Sequence, residues 1–153
     1  MRIVVRMRVS VRVKFSAAHR LPAHPGLCRN LHGHNYTAWV DFDDTMQVSG
    51  MVVDFDEAQR AIGGWIAQHW DHALLHQATD PVAAAVIAAF PEQRAFAFRA
   101  PPTAEVMALE LRIAAMAWLE ELKAAVPIRV LSSVRVSEVR IRETDDFTAA
   151  APG

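Results

Sequence analysis

Residues 5–19 read VRMRVSVRVKFSAAH. Val5, Met7, Val9, Val11, Val13 and Phe15 alternate with Arg6, Arg8, Ser10, Arg12, Lys14 and Ser16. A period of two over a dozen residues puts the apolar set on one side of an extended chain and the polar set on the other, so the segment is a half-buried strand. The parity of Phe15 continues through Ala17 to His19. A histidine therefore closes the apolar face of the strand.

Working outward, HRLPAHPGLCRN (19–30) is punctuated by Pro22, Pro25 and Gly26 and reads as a loop. A second strand is expected from about His32 to Phe42, with Tyr36, Ala38, Val40 and Phe42 as its apolar face, followed by the turn residues DDTMQVSG (43–50). In DFDEAQRAIGGWIAQHW (54–70), Asp54 caps and Glu57 answers three residues later. Phe55, Ala58, Ile62, Trp65 and Ile66 fall on one helical stripe, against a cost of about 1 kcal/mol for each of Gly63 and Gly64. A short Ala-rich helix starts at Pro81 and must end before Pro91. AFAFRA (95–100) is open between strand and loop.

From Thr103, a plausible cap, a long helix runs to Pro127, and Val106, Leu109, Ile113 and Met116 with Met107, Leu111 and Trp118 make its wide apolar face. The last strand begins near Ile128. Val134 and Val136 alternate, then Val139 and Ile141, and the change of parity places a β-bulge near Ser137–Glu138. A short tail follows. With no repeat and no linker, residues 1–153 form one α+β domain: an antiparallel sheet covered on one face by two long helices.

The bulk composition excludes several function classes. Lys+Arg 16 against Asp+Glu 17 leaves a formal charge of −1, which suits neither a nucleic-acid binder nor any other general polyanion binder. The lone cysteine cannot form an intrachain disulfide and fits a reducing compartment. The arginines of the first strand interrupt any signal-peptide core, and PVAAAVIAAFP (81–91) is too short to span a bilayer, so no membrane association and a cytoplasmic location are expected.

The chemistry-bearing residues gather at strand ends. His32 and His34, two apart on a strand, project from one face, and in an antiparallel hairpin the end of the first strand brings His19 beside them. Three neutral imidazoles with an open fourth position are a catalytic zinc environment. Cys28 could close such a site as a fourth ligand, pack as a small apolar side chain, or act as a thiolate base or nucleophile, since Arg29 and a metal nearby would favour the thiolate. Asp71 and His72 follow the first helix and form either a proton-relay pair or an ordinary helix end with a dipole-matched histidine. Glu138 and Glu143 each end a β-run; an inward carboxylate there would anchor ligand N–H groups, whereas an outward one is solvated among the arginines.

Together, FSAAHRL (15–21), CRNLHGHNY (28–36), GMVVDF (50–55), DHALL (71–75), PTAEVMA (102–108) and VRIRET (139–144) resemble the 6-pyruvoyl-tetrahydropterin synthase and 6-carboxy-tetrahydropterin synthase family. The resemblance covers nearly the whole chain. It implies the tunnelling fold, in which protomers join their sheets into an oligomeric β-barrel, as a trimer or a pair of stacked trimers with active sites between subunits. An oligomer also suits a first strand that alternates too well to be left as an exposed edge.

By the resemblance, His19, His32 and His34 hold Zn2+, Cys28 abstracts a proton, Asp71 and His72 relay one on the other side of the substrate, and a C-terminal glutamate grips the pterin. Glu143 in VRIRET fits the family strand better than Glu138 and is the expected anchor, with Thr103 and Glu105 lining the same pocket. The implied reaction converts 7,8-dihydroneopterin triphosphate to 6-carboxy-5,6,7,8-tetrahydropterin, a queuosine precursor, with loss of triphosphate and acetaldehyde. The alternatives are the pyruvoyl-forming elimination, a catalytically silent zinc-binding oligomeric module, and a zinc hydrolase. Arg20, His24 and Arg29 are candidates for the triphosphate. Residues 76–101 look longer than in compact family members, and the tail lacks the tyrosine common near the family's C-terminus, which implies an abbreviated last strand.

Overall fold

The structure is a computed structural model that describes residues 5–45, 50–125 and 133–153. The first strand, β1, runs Arg6–His19 and pairs antiparallel with β2, His32–Thr45, from Arg6↔Thr45 to His19↔His32. β2 thus continues through Asp43 and Asp44, residues expected in a turn; Asp43 is held by Arg135 of a neighbouring strand, and Asp44 accepts the Ser133 hydroxyl at 2.9 Å just before that strand. Helix α1 spans Phe55–His69, with Asp54 accepting the Glu57 N–H at 2.9 Å as its cap. Strand β3, Leu74–Gln77, precedes α2, Pro81–Ala89, which ends before Pro91 as expected. Strand β4, Ala95–Phe98, precedes α3, Ala104–Ala125. The chain closes with β5, Arg135–Arg142, and β6, Thr148–Pro152. The expected helix end at Pro127 and strand start at Ile128 lie outside the described residues.

Among the described residues the sheet order is β4-β3-β1-β2-β5-β6. The fold is α+β, but the sheet is mixed: β1, β2, β5 and β6 are antiparallel, while β3 is parallel to both β1 and β4. AFAF is therefore a strand, and the segment read as a tail is an edge strand on β5. The bulge is present: Asp41 faces Glu138 while Phe42 faces Val136, leaving Ser137 as the extra residue.

The apolar parity of β1 and β2 builds the core. Val11, Phe15 and Ala17 join Tyr36, Ala38, Val40 and Phe42, with Val136, Val139 and Ile141 of β5, under α1 and α3. From α1 come Ala58, Ile62 and Ile66; from α3 come Met107, Ala108, Leu111, Ala115, Leu119 and Leu122. Phe55 and the trio Leu109, Ile113 and Met116 do not join it, and remain exposed on the protomer. The stripe of α3 that packs holds Met107, Leu111, Leu119 and Leu122 with Ala108 and Ala115, and the trio falls outside it.

The opposite sheet face is polar yet ordered. Asp41 accepts the Ser10 hydroxyl at 2.6 Å and Arg140 at 3.2 Å, and Asp43 holds Arg135 in a two-point fork at 2.7 and 3.1 Å. Arg140 and Arg142 lie over the Trp39 ring. No helix among the described residues is long and apolar enough to cross a membrane.

Candidate metal centre and active site

The site forms where the core face of the β1–β2 pair runs out beyond the helices. Ala17 faces His34 and His19 faces His32 in the register, so the parity that buries Phe15 and Tyr36 carries the three imidazoles to one end of the same face. Their ligating nitrogens lie within 4.8 Å of one another, and His19 is 1% exposed. Gly33 between the two histidines lies close against β1: a Cβ there would meet the Ala17 carbonyl oxygen at 3.1 Å, a tight contact that the backbone would have to relieve by a few tenths of an ångström.

Two rings are oriented from behind. His19 Nδ1 donates to the Pro102 carbonyl at 2.9 Å, and His32 Nδ1 donates to the Asn30 carbonyl at 2.8 Å. A carbonyl only accepts, so both Nδ1 atoms carry the proton in the neutral rings and both Nε2 atoms present lone pairs. Those Nε2 atoms face each other at 3.1 Å, and His34 Nε2 is buried with no hydrogen-bond partner among the described residues. Lone pairs converging in this way could hold a metal ion between them. The donor set fits a metal ion, and burial holds His19 and His34 below the usual imidazole range, which keeps them neutral and able to ligate.

Glu143 follows β5 and continues the inward parity of Val139 and Ile141. Its carboxylate lies 3.5 Å from His34 Nε2 and 4.0 Å from His19 Nε2, at the edge of the imidazole group. Beneath it, burial pushes the Tyr36 phenol far above its ordinary range, with Glu143 and Cys28 adding to the effect, and its hydroxyl has no partner among the described residues. Glu138 points elsewhere, toward Arg140 at 3.5 Å.

The remaining expected residues fall as follows. Asp71 Oδ1 accepts the Ser16 N–H at 3.0 Å and lies 2.9 Å from His72 Nδ1, while the His72 N–H donates to the Ser16 carbonyl at 2.7 Å. His72 takes a left-handed backbone, φ 56°, uncommon for a residue with a Cβ. The pair is thus pinned to the edge of β1, and with Tyr36, Lys14, Arg142 and Glu143 it lines a cavity of about 680 Å³. Cys28 is half-buried in the 3-10 turn Leu27–Arg29 and is not one of the clustered ligands, so the four-ligand closed site is not formed. Thr103 accepts the Val106 N–H at 3.3 Å as the cap of α3, and Glu105 is exposed in its first turn; neither lines this cavity. The orienting carbonyls of Pro102 and Asn30 were beyond sequence reasoning, although the Pro-Thr cap motif marks where one of them sits.

A family model described as 6-pyruvoyl tetrahydropterin synthase matches residues 8–152. The chain belongs to the 6-pyruvoyl tetrahydropterin synthase family. It is thereby an enzyme of tetrahydropterin-synthase type. It is 33% identical over 137 residues to a probable 6-carboxy-5,6,7,8-tetrahydropterin synthase of Halobacterium salinarum, covering 90% of this chain and 81% of that one. It is 33% identical over 103 residues to the 6-carboxy-5,6,7,8-tetrahydropterin synthase of Rickettsia bellii, covering 66% and 74%. The fold matches the 6-pyruvoyl tetrahydropterin synthase of Caenorhabditis elegans at a TM-score of 0.64 and 22% identity, covering 100% of this chain and 99% of that one. It also matches an uncharacterized protein of Wolinella succinogenes at a TM-score of 0.77 and 19% identity, covering 97% and 99%. For this member of the family, the three histidines form a group competent to hold a metal ion.

Proposed function

We propose that the protein is a zinc-dependent 6-carboxy-5,6,7,8-tetrahydropterin synthase acting on 7,8-dihydroneopterin triphosphate in the cytoplasm, on the path to queuosine. The observation that carries this reading is the convergence of three imidazoles, two of them oriented by backbone carbonyls, beside a cavity lined by the Asp71–His72 pair and Glu143. The names of the relatives support the carboxy product over the pyruvoyl one.

When bound, zinc supplies Lewis acidity to the side-chain hydroxyls of the substrate, and so acidifies the adjacent C–H bonds. Cys28, as the thiolate, takes a proton from the activated carbon. Asp71 fixes the ring of His72 through Nδ1, leaving Nε2 to move a proton on the other side of the substrate. Glu143 receives the pterin N–H groups, a role supported by its place in the cavity and by the outward orientation of Glu138. Thr103 and Glu105 are assigned to the pterin pocket by the family resemblance alone. The working state is a trimer or a dimer of trimers, since Asp71–His72 is held at Ser16, just before the two β1 residues that pair with β3, where a neighbouring copy can complete the site.

Stripping the metal with a chelator tests the zinc assignment. Triphosphate release should stop, and zinc should restore it where magnesium does not. Undiminished release from the stripped protein would refute zinc dependence. One observation favours a zinc hydrolase instead: the Glu143 carboxylate stands beside the metal position. A Cys28→Ala variant with full activity would support that reading.

A further inference from the structure

The loop that carries Cys28 has no hydrophobic anchor. No residue from 20 to 31 is buried, and the turn Leu27–Arg29 contributes nothing to the core. Leu27 is 85% exposed and Leu31 45%. Polar contacts therefore decide where the thiol sits, and they converge on one side chain.

Arg20 Nε donates to the Arg29 carbonyl at 2.8 Å, and Arg20 Nη1 donates to Asp80 Oδ1 at 2.8 Å. Beside it, the Leu21 N–H donates to the Cys28 carbonyl at 2.8 Å. The carbonyl of Cys28 and that of the next residue are thus both gripped from the Arg20–Leu21 pair. Asp80 is a firm anchor: its side chain is fully buried, and the same Oδ1 accepts the Val82 N–H at 3.0 Å as the cap of α2. Asp80 N–H is in turn held by the Gln77 carbonyl at 3.0 Å. Asp80 Oδ2 has no partner among the described residues, so Arg20 is the cation that balances this carboxylate.

Arg20 also follows His19 directly, at the point where β1 pairs with β3 through His19↔Leu75. One guanidinium fork therefore fixes the loop of Cys28 relative to a metal-competent histidine, using the β3–α2 corner as its base. With its side chain only 12% exposed and its Nε and Nη1 engaged, Arg20 has little to offer a triphosphate.

We propose that Arg20, seated on Asp80, is a positioning residue that holds Cys28 at its working distance from the metal centre, and is not a phosphate ligand. This rests on the reading of Cys28 as the base. Arg20→Lys is the first test, since lysine keeps a cation beside Asp80 but cannot serve two acceptors as a fork. The zinc content should stay at the wild-type level, while kcat for triphosphate release falls about 100-fold with KM within about twofold. Amide hydrogen exchange in residues 21–31 and the alkylation rate of Cys28 by iodoacetamide should both rise. Asp80→Asn, which retains the α2 cap acceptor, should reproduce this pattern and guards against a misfolded first variant.

A raised KM with unchanged kcat would make Arg20 a phosphate ligand and overturn the proposal. So would wild-type kcat, exchange and alkylation in both variants. If the unmodified protein does not turn over 7,8-dihydroneopterin triphosphate, the proposed function fails, but exchange and alkylation still decide whether Arg20 holds the loop.

Discussion

His19 and His32 face each other across the β1–β2 pair with their Nε2 atoms 3.1 Å apart, each with its Nδ1–H given to a backbone carbonyl. Neither nitrogen can donate to the other in the neutral state. With His34 beside them, the two rings form a group that could hold a metal ion.

Replacing His19 or His32 by alanine should therefore abolish stoichiometric metal binding. Loss of an outer-shell partner alone costs about 10- to 100-fold in affinity, and loss of a ligand should exceed that. Metal content after dialysis, with competition against a chromophoric chelator, checks it. Retention of one equivalent of zinc by both variants would contradict the assignment.

In the metal-free protein, burial holds His19 and His34 below the ordinary imidazole value of 6.5. The unfolded chain takes up those protons first. The stability contribution is thus complete above that value and is lost as the pH falls from it through the folded-state values. The urea midpoint of the stripped protein should drop between about pH 7.5 and pH 5.5. A midpoint that holds or rises over this interval would show that the imidazoles are not protected.

On the other sheet face, the fork from Arg135 keeps the Asp43 carboxyl below its usual value of 3.8, against the opposing effect of burial. This stability is present above 3.8 and is lost as the pH falls through the folded-state value. The stability gap between wild type and Arg135→Gln should be open at neutral pH and should close in acid. A gap independent of pH would assign the effect of Arg135 to packing.

Cys28→Ser and Asp71→Asn should each lower kcat by about 100- to 10,000-fold, the usual worth of a general acid or base, with zinc content unchanged. Asp71→Asn acts through His72, whose ring it orients at 2.9 Å, so its pH profile should shift as well. A loss of zinc from either variant would mean that these residues serve the metal instead.

The hairpin and its histidines were legible because strand parity is strict: with period two, His19, His32 and His34 can only share the face of Phe15 and Tyr36. The bulge was legible for the same reason, since Val136 and Val139 cannot both face the core without an extra residue between them. β3 and β4, at four residues each, are too short to show a period, and β6 is alanine-rich enough to pass for a tail. Helical periodicity found Ala58, Ile62, Ile66, Met107 and Leu111 of the packed faces but drew the stripes too wide. Phe55, Leu109, Ile113 and Met116 are apolar at the right spacing but stay exposed, and α3 seats through Met107, Ala108, Leu111, Ala115, Leu119 and Leu122. The orienters Pro102 and Asn30 and the Arg20–Asp80 pair depend on tertiary neighbours that no local pattern records.

The most direct test of the central claim is to incubate the zinc-loaded protein with 7,8-dihydroneopterin triphosphate and identify the products by mass spectrometry. The account predicts 6-carboxy-5,6,7,8-tetrahydropterin with acetaldehyde and triphosphate. A pyruvoylpterin, or no turnover by a fully loaded oligomer, would contradict it.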